Sequence, residues 1–218
     1  MKKTAVIVAG GSGVRMGTDV PKQFLHLKGK PIIWHTVQQF IYAYYDIQIV
    51  LVLPASYLAE AATYFETAQL AHIQFVEGGA TRFESVKNGL QVVKEPGVIF
   101  VHDGVRCLVS SDLIKNCYEE ALVHGSAIPA VTATDSIRFI SGESHHVVDR
   151  NMVKIIQTPQ TFLSRVLLPA FEQPYQASFT DEATVVEAAG HTVRLIEGEY
   201  SNLKITRPQD LIVAESLF

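Results

Sequence analysis

The chain has 218 residues, 48% of them hydrophobic and 18% charged, with a formal net charge of −4 at pH 7. That composition fits one globular α/β domain with a sizeable core, and it lacks the basic face that a general grip on nucleic acid needs. Its two cysteines, Cys107 and Cys117, form no C-x-x-C pair. They give no zinc or redox signal and fit a reducing compartment such as the cytoplasm.

No apolar run reaches the ~18 residues of a membrane span. Met1-Lys2-Lys3 imitates the start of a signal peptide, but the apolar stretch behind it is short and runs into glycines. That stretch, Thr4 to Ala9, reads as a buried strand. It breaks into Gly10-Gly11-Ser12-Gly13-Val14-Arg15-Met16-Gly17, and Pro21-Lys22-Gln23 follows. Glycines let backbone N–H groups approach a phosphate, and Arg15 and Lys22 bring two positive charges to the same loop. The combination implies a polyphosphate site. The alternative, a plain turn into a helix, needs neither Arg nor Lys. A dinucleotide fingerprint is excluded because Met16 stands where its third glycine belongs, and no Gly-Lys-Ser/Thr closes the loop as in a P-loop.

Strand patterns at residues 5–9, 47–53, 73–76, 98–102 and 127–131 alternate with helix patterns at 34–44, 56–68, 82–93 and 111–124. Ser111-Asp112 is the expected cap of the last helix. The alternation predicts a doubly wound, mostly parallel sheet, whose ligands sit outside the carboxyl ends of the strands. The loops there are polar. Glu77-Gly78-Gly79-Ala80-Thr81-Arg82 leads to Ser85, and His102-Asp103-Gly104-Val105-Arg106 follows the next strand. Asp103 is placed to hold Mg²⁺ or a ligand hydroxyl; the alternative is a cap of the following turn. His102 reads as a packed residue. The eight histidines show no metal-ligand spacing. No G-x-S-x-G surrounds Ser12, Ser85 or Ser136, so covalent catalysis is not expected.

Beyond Thr134 the rhythm changes to two β-like runs around Ser141-Gly142-Glu143-Ser144. This predicts a hairpin arm over about residues 135–157, either a solvated excursion or a dimer contact. A helix near 180–189 is expected with Thr180 as its cap, then a strand at 192–197 and a last helix from about Pro208. With no linker, repeat or low-complexity tract, residues 1–218 read as one domain with an arm.

The glycine loop with Pro21-Lys22-Gln23 resembles the signature of sugar-nucleotide and polyol-phosphate nucleotidyltransferases. Gly78-Gly79-Ala80-Thr81-Arg82 with Ser85-Val86, His102-Asp103 with Arg106, and Val148-Asp149-Arg150-Asn151 narrow the resemblance. So do Gln157-Thr158-Pro159-Gln160, Thr180-Asp181-Glu182-Ala183 and Asn202-Leu203-Lys204-Ile205-Thr206. In this order, spread from Ala5 to Ala214, the set is similar to the 2-C-methyl-D-erythritol 4-phosphate cytidylyltransferases of non-mevalonate isoprenoid synthesis.

The resemblance implies a Rossmann-like nucleotidyltransferase fold, CTP and a polyol phosphate as substrates, Mg²⁺ as cofactor and a homodimer joined through the arm. It implies that Arg15 and Lys22 stabilise the transition state and that Arg150 and Lys204 place the polyol phosphate. Ala9, Gly10, Gly11, Gly13, Gly79, Arg82, Ser85, Asp103 and Gly104 would line the nucleotide pocket. Asp103, Arg106, Ser136, Arg150, Thr158, Thr180 and Lys204 would line the substrate pocket, with Asp103 also the candidate metal ligand. Departures occur at Gly10, Ala80, Gly104-Val105, Cys107 and Ser136, and none removes a charge the chemistry needs. Two other readings remain: ribitol-5-phosphate cytidylyltransferase, which shares the glycine loop and Q-T-P-Q, and a nucleotide sensor, which would need no second anion site. No nucleic acid or membrane partner is expected.

Overall fold

The structure, a computed structural model, describes residues 1–10 and 20–218. Gly11, Gly13 and Arg15 therefore lie outside the described residues. In chain order the elements are β1 (Lys2–Val8), a 3-10 turn at Lys22–Phe24, β2 (His26–Leu27), β3 (Lys30–Pro31), α1 (Ile32–Ala43) and β4 (Gln48–Leu53). Then come α2 (Leu58–Ala62), α3 (Thr67–Leu70), β5 (Ile73–Glu77), α4 (Arg82–Gln91), β6 (Gly97–Asp103), α5 (Ser111–His124) and β7 (Ser126–Thr132). The chain continues through β8 (Ile137–Ser141), β9 (Ser144–Val148), β10 (Lys154–Ile156), β11 (Gln160–Leu163), α6 (Ser164–Ala170), α7 (Glu182–Ala188), β12 (Leu195–Glu197) and α8 (Pro208–Leu217).

The main sheet runs β10-β7-β11-β6-β1-β4-β5, with β12 also paired to β7. The pairs β1·β6, β1·β4, β4·β5 and β7·β12 are parallel, whereas β11 and β10 run antiparallel to their neighbours. The strands read as continuous apolar runs because both faces are covered. Along β1, Ala5 and Ile7 enter the core shared with α1 and α5, while Val6 enters the core shared with α4, α6 and α7. The same alternation divides Ile49 from Val50 and Phe100 from Val101.

A third, smaller core fixes the C-terminal segment. Ile205 and Ala214 pack with Leu27, Ile32, Val105 and Cys107, and Ile205 N–H donates to the Val105 carbonyl at 3.0 Å. This anchor brings the residue before it, Lys204, to the end of β6.

Several local expectations shift. The pattern at 56–68 forms two short helices, because Glu66 and Gln69 make a capping box that restarts the helix at Thr67. Ser110, not Ser111, caps α5, accepting from Leu113 N–H at 2.9 Å. Asp181, not Thr180, caps α7 by accepting from Thr184 N–H at 2.9 Å. The arm is shorter than expected. Among the described residues the hairpin β8–β9 pairs only with itself, but Lys154–Ile156 lies against β7 in the main sheet. Strand β11 and helix α6 are additions to the elements read from the sequence.

Candidate active site

The carboxyl ends of β1, β5 and β6 converge on one cleft of about 240 Å³. Ala9, Gly10, Lys22, Gly79, Arg82, Ser85, Asp103 and Lys204 all line it. The glycine loop after β5 is built for close approach. A Cβ on Gly79 would stand 2.3 Å from Glu84 Cβ. Glu84 cannot retreat, since Thr81 and Glu84 form the capping box of α4, with Thr81 N–H donating to Glu84 Oε2 at 2.9 Å and Glu84 N–H to Thr81 Oγ1 at 3.1 Å. Ser85 Oγ accepts from Gly79 N–H at 3.0 Å and donates to the Thr81 carbonyl at 2.9 Å. Gln23, buried and next to Lys22, donates to the Ala9 carbonyl at 2.6 Å, which ties the Lys22 turn to the end of β1.

Asp103 ends β6 and gathers three cations. Its Oδ2 lies 2.9 Å from Lys204 Nζ and 3.3 Å from Arg106 Nε, and its Oδ1 lies 3.5 Å from Arg82 Nε. Burial works against its charge, but Arg82, Lys204 and Arg106 outweigh burial and hold the carboxyl well below the usual carboxylate range. Arg106 is itself spoken for, donating to the Asn202 carbonyl at 2.7 Å. Arg82 forks onto Glu182, which is 1% exposed.

A second cleft of about 200 Å³ opens on the other side of this cluster. Arg106, Thr158, Gln160, Thr180 and Asp181 line it, and Arg82, Asp103 and Lys204 belong to both clefts. Thr158 also sets the backbone. Its Oγ accepts from Asp103 N–H at 3.1 Å and donates to His102 Nδ1 at 3.0 Å, while His102 Nε2 donates to the Arg106 carbonyl at 3.1 Å. This chain of bonds needs a neutral His102, and burial lowers its pKa to about 4. His102 is thus a packed residue, as its sequence context implied.

Of the residues singled out in the sequence, Ala9, Gly10, Gly79, Arg82, Ser85, Asp103, Arg106, Thr158, Thr180, Lys22 and Lys204 are brought together at the two clefts. Gly104 is not at either surface. It is buried between Ile33 and Ala9, where a Cβ would meet Ile33 Cδ1 at 2.7 Å and Ala9 Cβ at 2.8 Å, so it is a packing position. Ser136 is exposed at the base of the arm. Arg150 is exposed too, its Nη1 donating to the Thr134 carbonyl at 2.8 Å, and it lines neither cleft of its own chain.

The sequence names no partners for the buried polar residues Glu182, Gln160, Gln157 and Asn202. Glu182 stands in the first turn of α7, and its partner Arg82 is visible only in the fold. Gln160 links Asp181 Oδ2 (2.9 Å) to Ala183 N–H (2.8 Å). Gln157 brackets Glu199, and Asn202 donates to the Thr158 carbonyl at 2.9 Å.

The donor set does not suit a resident Mg²⁺ on Asp103. Both of its oxygens face cations, and a divalent ion there would be repelled by Arg82, Arg106 and Lys204. Among the described residues no group of three His, Cys, Asp or Glu side chains forms a metal cluster.

Comparison with known proteins places this geometry. The family model IspD, described as 2-C-methyl-D-erythritol 4-phosphate cytidylyltransferase, matches residues 3–218. A protein of that name from Phocaeicola vulgatus is 44% identical over 218 residues, covering 100% of both chains. Among solved structures, the 2-C-methyl-D-erythritol 4-phosphate cytidylyltransferase of Thermus thermophilus superposes with a TM-score of 0.80 at 33% identity, over 100% of this chain and 98% of that one. The Francisella tularensis enzyme gives 0.84 at 30% identity over 100% of both. With its glycine loops, its Asp103 cluster and a match along nearly its whole length, the chain belongs to the 2-C-methyl-D-erythritol 4-phosphate cytidylyltransferase family.

Proposed function

We propose that this protein transfers the cytidylyl group of CTP to 2-C-methyl-D-erythritol 4-phosphate. The observation that carries the reading is the pair of clefts with one wall in common, made by Arg82, Asp103 and Lys204. Two anionic reactants must be held side by side, and a nucleotide sensor would use only one such cleft.

The nucleotide occupies the cleft of Gly10, Gly79 and Ser85, where backbone groups can approach it closely. The polyol phosphate occupies the cleft of Thr158, Gln160 and Thr180. A phosphate oxygen of the polyol attacks the α-phosphorus; the new P–O bond forms as the bond to pyrophosphate breaks, and pyrophosphate leaves with the electron pair. The attacking phosphate is already ionised at neutral pH, so no general base is required. This agrees with the side chains present. His102 is committed to hydrogen bonds, and burial pushes the thiols of Cys107 and Cys117 up to about 12. Charge neutralisation and alignment remain as the catalytic tasks. Lys22, with Arg15, neutralises the triphosphate, and Lys204 steadies the incoming phosphate. Mg²⁺ accompanies CTP and is not assigned to a protein ligand.

The reading extends to a homodimer. Hairpin β8–β9 stands free of the main sheet and exposes Phe139, Ile140 and Val147 at 57%, 72% and 65%. A lone two-stranded hairpin is marginal in water, and exposed apolar side chains on both of its faces, Phe139 on one and Ile140 with Val147 on the other, favour a partner. Arg150 at its base then serves the other subunit's polyol phosphate. A reducing, cytoplasmic setting agrees with the two buried free cysteines. No described helix is long and apolar enough to cross a membrane.

The test is a thermal-shift and turnover panel. CTP with Mg²⁺ raises Tm and NAD does not. Pyrophosphate appears only when CTP, Mg²⁺ and the polyol phosphate are all present. Hydrolysis of CTP without the polyol phosphate would overturn the assignment.

A further inference from the structure

Glu182 is a fully buried carboxylate at the wall between the clefts, and both of its oxygens go to one partner. Oε1 accepts from Arg82 Nη1, and Oε2 accepts from Arg82 Nη2 at 3.0 Å. Arg82 is thereby held edge-on, with only Nε turned toward Asp103 Oδ1 at 3.5 Å. The pair is not what joins its two helices. Phe83, next to Arg82 on α4, stacks on Phe171 with ring centroids 5.0 Å apart and lies 5.6 Å from Phe179. Ala183, Val185 and Val186 of α7 enter the same apolar cluster. A buried ion pair adds little stability over apolar packing, so its place here points to another task.

That task follows from what Arg82 would do without it. Two parallel N–H groups are the preferred grip on a carboxylate or a phosphate. Released from Glu182, they would turn either to Asp103, competing with Lys204, or to an anion in either cleft. With Glu182 present, Arg82, Arg106 and Lys204 are matched by Asp103, Asp181 and Glu182, so the described wall is close to neutral.

We propose that Glu182 is a positioning residue for the transfer: it fixes the Arg82 guanidinium in the wall between the clefts and keeps its terminal nitrogens off the incoming phosphates. The proposal rests on the cytidylyl-transfer reading. It assigns Glu182 no contact with substrate.

The test is Glu182→Gln, which keeps the size and removes the charge. Its kcat falls about 10- to 100-fold, the usual effect of a misplaced group at a reacting centre. Inorganic phosphate, titrated calorimetrically, binds the variant about fivefold tighter than wild type, since one uncompensated charge near the site is worth about 1 kcal/mol. A residue that only supported the fold would lose rate and anion affinity together. Wild-type kcat, or unchanged or weaker phosphate binding, overturns the proposal. If Glu182→Gln does not fold, Glu182→Asp carries the test. It keeps the charge but shortens the fork, so kcat falls while phosphate affinity stays at the wild-type value; wild-type kcat in this variant overturns the proposal. The phosphate titration of Glu182→Gln needs no turnover, so it decides on Glu182 even if wild type makes no pyrophosphate, a result that would defeat the substrate reading instead.

Discussion

Lys204 and Asp103, 101 residues apart in the chain, meet with Nζ 2.9 Å from Oδ2, and the two residues differ in how deeply they are held. The Asp103 side chain is 10% exposed and the Lys204 side chain 40%. Removing the carboxylate leaves Arg82, Arg106 and Lys204 facing one another. Asp103→Asn is therefore expected to lower stability by about 3 kcal/mol, as for other broken buried ion networks. Lys204→Ala removes a half-exposed partner, so its effect on stability stays within about 1 kcal/mol, while kcat falls roughly 10²–10³-fold through loss of a preorganised cation. Urea unfolding and steady-state kinetics on the two variants check the contrast.

His102 predicts the acid limit of the fold. Burial lowers its pKa from the ordinary 6.5 to about 4, so the unfolded chain takes up a proton that the folded chain refuses. Its contribution is present above pH 6.5 and is lost as pH falls from 6.5 toward 4, by about 3 kcal/mol at most. His35, lowered by burial as well, acts in the same direction. Asp103, with its pKa depressed, loses its contribution only as pH falls below the ordinary 3.8, outside this window. Denaturant unfolding at pH 7, 5.5 and 4.5 should show stability dropping across the series, with a shallower drop in His102→Asn. Glu182, raised by burial, opposes the drop in both proteins, so equal slopes in wild type and His102→Asn would contradict the buried neutral imidazole.

Gly79 lines the cleft that the proposal gives to the nucleotide. Its added Cβ would collide with Glu84 Cβ and crowd the Glu84 backbone carbonyl carbon at 3.1 Å. Gly79→Ala is expected to displace the loop, breaking the Gly79–Ser85 hydrogen bond, and to raise KM for CTP by about tenfold, the effect of roughly 1.4 kcal/mol of lost binding. KM for the polyol phosphate, which the proposal seats across the wall, changes less. Equal changes in both would contradict the division of the clefts.

Arg150 lies outside the clefts of its own chain, which makes a shared site testable. Lys22→Ala and Arg150→Ala chains, each inactive alone, are mixed under conditions of verified subunit exchange. If Arg150 serves the partner, each mixed dimer has one site with both lesions and one with neither, and roughly a quarter of wild-type activity returns. If it serves its own chain, nothing returns.

The parallel core was legible because strands buried on both faces have to be continuous apolar runs; all seven residues of β6 are buried. The ligand-facing loops were legible because charge and glycine at strand ends have few structural uses. What escaped was decided by distant partners. Gln160 and Thr161 look like loop residues, yet they lie in β11 because Gln160 satisfies Asp181 and Ala183. Pro169 hid the short helix α6, in which it is an interior residue. The caps of α5 and α7 each moved by one position, since adjacent Ser or Thr/Asp pairs offer two equivalent oxygens and only the turn geometry selects one. Nothing local in the sequence names Arg82 as the partner of Glu182.

The identity of the nucleophile is the central claim. Equal concentrations of 2-C-methyl-D-erythritol 4-phosphate and ribitol 5-phosphate, competing for limiting CTP with Mg²⁺, report the ratio of their kcat/KM values directly through the two CDP-alcohols resolved by phosphorus NMR. The account predicts 4-diphosphocytidyl-2-C-methyl-D-erythritol as the dominant product, with one pyrophosphate released per CDP-alcohol formed. A mixture dominated by CDP-ribitol, or consumption of CTP with no CDP-alcohol at all, would contradict it.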